Sequence, residues 1–200
     1  MMMKKLLISS IFLVSFFSVS AQQFGMYGNV MLSKQHTNHY TSDFFLSSSF
    51  GMDYYWRNDA FVKQTLSLVY ERKGEDIDNS GDIQINRINY ITIKYLSRIG
   101  NSNFDFQIGP YIGVVAKATS VYYGKEDDFY LESLYRFDVG FSTNVNQYLF
   151  ALDKISFHLR AEANYGIPST SNWNNYITFR DHYDRNLTCG LGIVMRWNNK

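Results

Sequence analysis

The chain has 200 residues, with 19 Lys+Arg against 18 Asp+Glu and a single cysteine, Cys189. Removing a leader that holds Lys4 and Lys5 leaves 17 cationic against 18 acidic side chains, a net charge of −1 that gives no reason to expect nucleic acid as a partner. One cysteine excludes an internal disulfide framework.

Lys4 and Lys5 open a basic start, Leu6 to Phe17 is apolar apart from small serines, and Val19-Ser20-Ala21 reads as a cleavage site. Residues 1–21 are therefore expected to be a cleavable signal peptide, and 22–200 the mature domain. The apolar stretch is shorter than the roughly 20 residues a helix needs to span a bilayer. No cysteine follows Ala21, so no lipid anchor is expected at the mature N-terminus.

Beyond the leader the chain alternates apolar and polar residues almost to its end, the period-two signal of strands. Eight strands are predicted in order: Phe24 to Ser33, Phe44 to Trp56, Phe61 to Lys73, Asn86 to Ser97, Phe104 to Ala118, Tyr135 to Asn146, Ile155 to Gly166 and Asn186 to Trp197. Arg57-Asn58-Asp59 and Gly100-Asn101-Ser102 are tight turns, and the connection after the sixth strand is of moderate length. Around Gln35 to Asp43, Gly74 to Ile85, Thr119 to Leu134 and Ile167 to Arg185 the connections are long and polar. Long loops alternating with short turns, behind an export signal, predict an all-β fold: a closed antiparallel transmembrane β-barrel, an up-and-down meander with its long loops outside. A hairpin within 119–134 or 167–185 would raise the strand number to ten. The 46% hydrophobic content with mean hydropathy −0.25 fits alternation, and 16 Tyr with 16 Phe suit interfacial aromatic girdles.

Taking the more apolar parity of each strand as lipid-facing turns Asp53, Lys63, Glu71, Lys94, Asp105, Arg136, Asp138, Arg160, Glu162 and Arg196 inward. Five are acidic and five basic, so they can pair in a nearly dry lumen. Gly51, Gly109, Gly113, Gly140, Gly190 and Gly192 share that parity and leave room for long side chains. An eight-stranded barrel is only wide enough for side chains to fill, which predicts a plugged barrel and no diffusion pore. Pro110 removes a ladder donor inside the fifth strand, so a bulge or irregularity is expected at Gly109-Pro110. Cys189 is expected on the lipid face.

Tyr70-Glu71-Arg72-Lys73-Gly74, Asn89-Tyr90-Ile91-Thr92-Ile93 and Gly109-Pro110-Tyr111-Ile112-Gly113, with the Ala21-Gln22-Gln23 junction, resemble the PorT-like outer-membrane β-barrel family of Bacteroidetes-type bacteria. Lys94 stands after Ile93 where that family's pattern usually has proline. The resemblance spans the mature chain and implies a place in the outer membrane and a link to protein secretion. It implies no catalytic residues.

Three constellations could carry chemistry. Asp76-x-Asp78-x-Ser80-Gly81 resembles half a calcium loop, but Arg87 stands where the bidentate acid belongs, so a solvated acidic loop is expected. Ser156 and His158 share a face with Arg160 and Glu162, yet at the end opposite the outer leaflet. His182 lies between Asp181 and Asp184 in the last loop, and His36 with His39 makes a weak metal pattern. The expectation is no enzyme, no cofactor and no metal. Trp173, Tyr176, Phe179 and Tyr183, among amides and hydroxyls in the last loop, form a candidate partner-binding surface. The expected function is that of a monomeric structural or interaction barrel in contact with membrane lipid and lipopolysaccharide, meeting a secretion-machinery or surface protein. The alternatives are an adhesin-like barrel and a lipid-modifying enzyme.

Overall fold

Alternation decides which way each side chain points, and the structure follows it strand by strand. The computed structural model describes residues 23–36, 44–56, 61–79, 82–122, 125–128, 137–167 and 185–198. Its strands are β1 (Gln23–His36), β2 (Phe45–Trp56), β3 (Lys63–Asn79), β4 (Asp82–Gly100), β5 (Phe104–Tyr122), β6 (Lys125–Asp128), β7 (Phe137–Leu152), β8 (Ile155–Ile167) and β9 (Arg185–Asn198). They run β4-β3-β2-β1-β9-β8-β7-β5, and a β4–β5 pairing closes the ring. Eight strands therefore form an antiparallel barrel, while the four-residue β6 only extends β5 from Thr119 to Tyr122.

One face of each of the eight ring strands is apolar and exposed: Val30, Phe50, Ile93, Ile112, Phe141 and Ile193 are representative. Such a belt is stable against hydrocarbon and unfavourable against water. Cys189 is exposed on the same side. At the end that holds the short turns, the start of β1 and the finish of β9, aromatic pairs ring the rim. Phe24 meets Trp197 at 5.9 Å, Trp56 meets Tyr95 at 5.9 Å and Phe150 stacks on Phe157 at 4.8 Å between centroids. Short turns and an aromatic girdle mark the periplasmic end of such a barrel.

Several expectations about the connections are corrected. The segment read as a loop from Gly74 to Ile85 instead continues β3 and β4, with Asn79 paired to Asp82. Part of 119–134 forms the β5–β6 hairpin, which does not join the ring. The moderate connection after the sixth strand shrinks to Asp153-Lys154, because β7 runs on to Leu152. Asp153 takes φ 52° there, a conformation that a short polar side chain tolerates. At the other described turn Gly100 has φ 139°, and the Asn101 side-chain oxygen accepts from the Asn103 and Phe104 amides at 2.9 and 3.0 Å.

Pro110 interrupts the ladder without shifting it. Lys94 pairs with Tyr111 and Ser97 with Ile108 in one register, and the two intervening pairs are missing. The bulge on β5 lies further out, at Ala116, where Asn89 faces Lys117 and Tyr90 faces Val115. A second register shift makes Leu149 the extra residue between β7 and β8. Each bulge moves the inward face by one residue, so Ala118 and Thr119 are buried beyond a stretch in which Tyr111 and Gly113 point in.

Candidate functional site

The inward faces converge on a continuous polar core. Long side chains fit because glycines stand opposite them: a Cβ on Gly51 would lie 2.6 Å from the Tyr27 ring, and one on Gly113 would lie 2.8 Å from Thr92 Oγ1. Asn29 and Met31 fill the space opposite Gly192 and Gly190 in the same way.

Asp53, fully buried on β2, holds the middle of the core. It accepts from the Arg160 guanidinium, from Tyr55 Oη at 2.7 Å and from Ser67 Oγ at 2.6 Å. Arg160 also donates Nε to Asn146 at 2.8 Å and lies 4.0 Å from the Tyr27 ring centroid. Toward the outside, Glu162 accepts from Lys94 at 2.6 Å, Asn29 at 3.0 Å and Asn164 at 2.9 Å. Glu71 joins Lys94 at 3.6 Å to Lys73 at 3.2 Å and accepts from Thr92 at 2.6 Å. Lys73 then pairs with Asp138, which Tyr111 Oη also reaches at 3.2 Å. Toward the periplasmic end, Arg196 donates Nη1 to Asp105 at 2.7 Å and Nε to Tyr55 Oη at 3.1 Å.

Buried charges on this scale persist only when each meets an opposite charge and further hydrogen bonds. Among the described interior residues five acids, Asp53, Glu71, Asp105, Asp138 and Glu162, face five cations, Lys73, Lys94, Arg98, Arg160 and Arg196. The balance expected from sequence holds with different members. Lys63 has the inward parity but sits at the rim, donating to Gly100 O at 3.1 Å, and Arg136 lies outside the described residues. Lys73 and Arg98 take their places. Lys73 is the next inward position after Glu71 on β3, and Arg98 is the second after Lys94 on β4, so parity alone points to both. The lumen is filled by side chains, as the barrel's width demands.

Ser156 and His158 do meet, Oγ to Nε2 at 3.0 Å, both buried inside the periplasmic half. Among the described residues no group of three His, Cys, Asp or Glu side chains is placed to hold a metal ion. Asp76 and Asp78 belong to the β3–β4 ladder opposite Ile85 and Ile83, an extended hairpin in place of a wrapped calcium loop. Trp173, Tyr176, Phe179, Tyr183, Asp181, His182, Asp184 and His39 lie outside the described residues.

At the outer end the hairpins exceed the wall. β3 loses β2 after Glu71 and β5 loses β7 after Val114, yet both continue for eight more residues, to Asn79 and Tyr122. Eight extended residues reach about 26 Å. The β3 extension leans over the mouth: Ser33 Oγ, on β1, accepts from Gly74 N at 3.0 Å and donates to Gly74 O at 2.9 Å.

A closed barrel with an apolar belt and a polar core is the construction of an integral outer-membrane protein, and the outer membrane is where this chain resides. Comparison with solved structures agrees on the fold. The chain is similar to Neisserial surface protein A, with 10% identity, a TM-score of 0.50, and 88% of this chain and 97% of that one covered. It is also similar to Ail, the attachment invasion locus protein of Yersinia pestis, with 15% identity, a TM-score of 0.48, and coverage of 88% and 99%. OprG of Pseudomonas aeruginosa follows with 10% identity, a TM-score of 0.39, and coverage of 90% and 98%. No protein family's profile matches the chain, and no curated protein matches it.

Proposed function

We propose that this protein is a non-enzymatic outer-membrane scaffold that presents its outer hairpins to a protein partner and supports protein export across that membrane. The observation that carries this reading is the contrast between a filled interior and three strands, β3 to β5, that continue past the barrel wall, with β6 paired to β5 beyond it. A filled lumen leaves the outer segments as the surface where recognition can happen, and loops on a rigid frame are where function usually lies. The export role comes from the resemblance of the Tyr70–Gly74, Asn89–Ile93 and Gly109–Gly113 segments to PorT-like barrels. In this reading residues 1–21 are removed on export, the barrel is monomeric, and Trp173, Tyr176, Phe179 and Tyr183 belong to the partner surface. Ser156 and His158 serve as interior packing, since their buried hydroxyl and ring lie at the end away from the outer leaflet.

The test is a quantitative secretome and surface proteome of a deletion strain beside its parent. Broad loss of exported proteins, with precursors held in the periplasm, is the expected result. An unchanged secretome would remove the export role and leave an adhesin-like surface barrel as the function to pursue.

A further inference from the structure

Charge is sorted by face on this barrel. Every carboxylate among the described side chains points inward except Asp153, which stands in the β7–β8 turn at the periplasmic end. At the opposite, outer end the outward face of β3, β4 and β5 carries cations. Arg72 pairs with Asn89 across β3 and β4, and Asn89 with Lys117 across β4 and β5. Arg87 lies two residues beyond Asn89 on the same face of β4. Neighbouring strands lie about 4.8 Å apart and two residues along a strand span about 6.7 Å, so the three cations mark a triangle with sides of roughly 8–10 Å. Arg72 turns its guanidinium toward the middle of it, donating Nε to Asn89 Oδ1 at 3.1 Å. Asn89 is covered at 7% exposure, whereas Arg72 and Lys117 are exposed and Arg87 is half-buried. One step toward the midplane the row of Tyr70, Ile91 and Val114 is apolar and exposed. Phe50, Met52, Leu68, Tyr70 and Ile91 border a groove of about 240 Å³ there. It lies beneath the point where β2 parts from β3, after their last pair, Ser49 and Glu71.

We propose that this patch binds a phosphorylated lipid of the outer leaflet, with its phosphate over Asn89 between Arg72, Arg87 and Lys117 and an acyl chain in the groove below. Cations at the edge of an apolar belt stand at the depth of the headgroups and attract anionic ones, and a guanidinium fork matches paired phosphate oxygens. Arg87 adds a second observation. Its Nε is buried with no hydrogen-bond partner, and a buried donor is costly to leave unmade. The groove decides which phosphate is meant, because a free ion would use the cations alone and a lipid uses both features. The proposal needs only the barrel's place in the outer membrane and is independent of the export reading.

The experiment titrates the folded protein, in an uncharged maltoside detergent, with dimyristoyl phosphatidic acid and follows bound lipid by native mass spectrometry. Dimyristoyl phosphatidylcholine, with the same chains and no net charge, and inorganic phosphate, with no chains, are titrated beside it. Saturable binding of one phosphatidic acid per barrel, roughly tenfold tighter than either control, is expected. Arg72→Gln with Arg87→Gln should weaken it roughly thirtyfold, about fivefold for each cation lost. Lys154→Gln, which removes an exposed cation at the periplasmic turn, should leave it unchanged. Each variant is first shown to be folded by its shift on gels before and after boiling, so a lost site is separable from a lost barrel. Inorganic phosphate bound as tightly as the lipid would overturn the lipid as occupant. Phosphatidic acid bound no better than phosphatidylcholine, or equally well by the double variant, would overturn the site.

Discussion

Arg160 sits where neither water nor lipid headgroup reaches it, and only Asp53, Asn146 and the Tyr27 ring make its charge tolerable. Removing one member of a buried pair leaves the other uncompensated, which costs about 3–5 kcal/mol. Asp53→Ala is thus expected to lower the stability of the folded barrel by that amount, read as a shift in the urea unfolding midpoint in lipid vesicles. Replacing both members, Asp53→Leu with Arg160→Met, should recover most of the loss, since no charge is then stranded. If the single and double variants were equally unstable, the pair would not be what holds the centre. Gly51 gives a steric counterpart. Its added Cβ would meet the Tyr27 ring at 2.6 Å, so Gly51→Val should destabilise by about 1–3 kcal/mol through overpacking. In a Tyr27→Ala background the same change should be nearly neutral, and persistence of the full penalty there would show that the ring is not the obstacle.

At the scale of elements, the outer hairpin depends on one side chain from a strand two places away. Ser33→Ala removes both bonds to the Gly74 peptide. Amide exchange across residues 72–79 is expected to accelerate while the barrel strands keep their protection. Unchanged exchange at Gly74 would mean that the β3–β4 ladder alone fixes the hairpin. What was legible in the sequence follows from the same physics. Inside the bilayer the two faces of a strand meet opposite environments, so Ile91, Ile93 and Tyr95 alternate with Thr92, Lys94 and Leu96, and the inward set could be read by parity. Outside the bilayer both faces are wet, the contrast fades, and Asp76 to Asp78 reads as loop although it is strand. The bulges at Ala116 and Leu149 were hidden for another reason. A single inserted residue leaves good alternation on both sides of it, and only the partner strand reveals the slip. The Ser156–His158 contact was legible from spacing alone. The approach of the Arg98 and Arg196 guanidiniums to the Tyr55 ring was not, because β2, β4 and β9 meet only when the barrel closes.

For the whole molecule, a filled interior has a plain physical consequence. Arg160, Tyr27, Tyr55, Lys73, Lys94 and Gln107 are all but inaccessible, and they lie along the length of the lumen. The barrel should resist sodium dodecyl sulfate at room temperature and migrate differently on gels before and after boiling, because the closed ladder has no free edge from which to unzip. Identical migration would contradict closure. The central claim is that this protein is a frame for its outer hairpins and not a conduit. The measurement that tests it most directly is the conductance of a planar lipid bilayer holding protein already shown to be folded by that gel shift. A silent bilayer is the predicted result, whereas discrete, repeatable current steps would contradict the account.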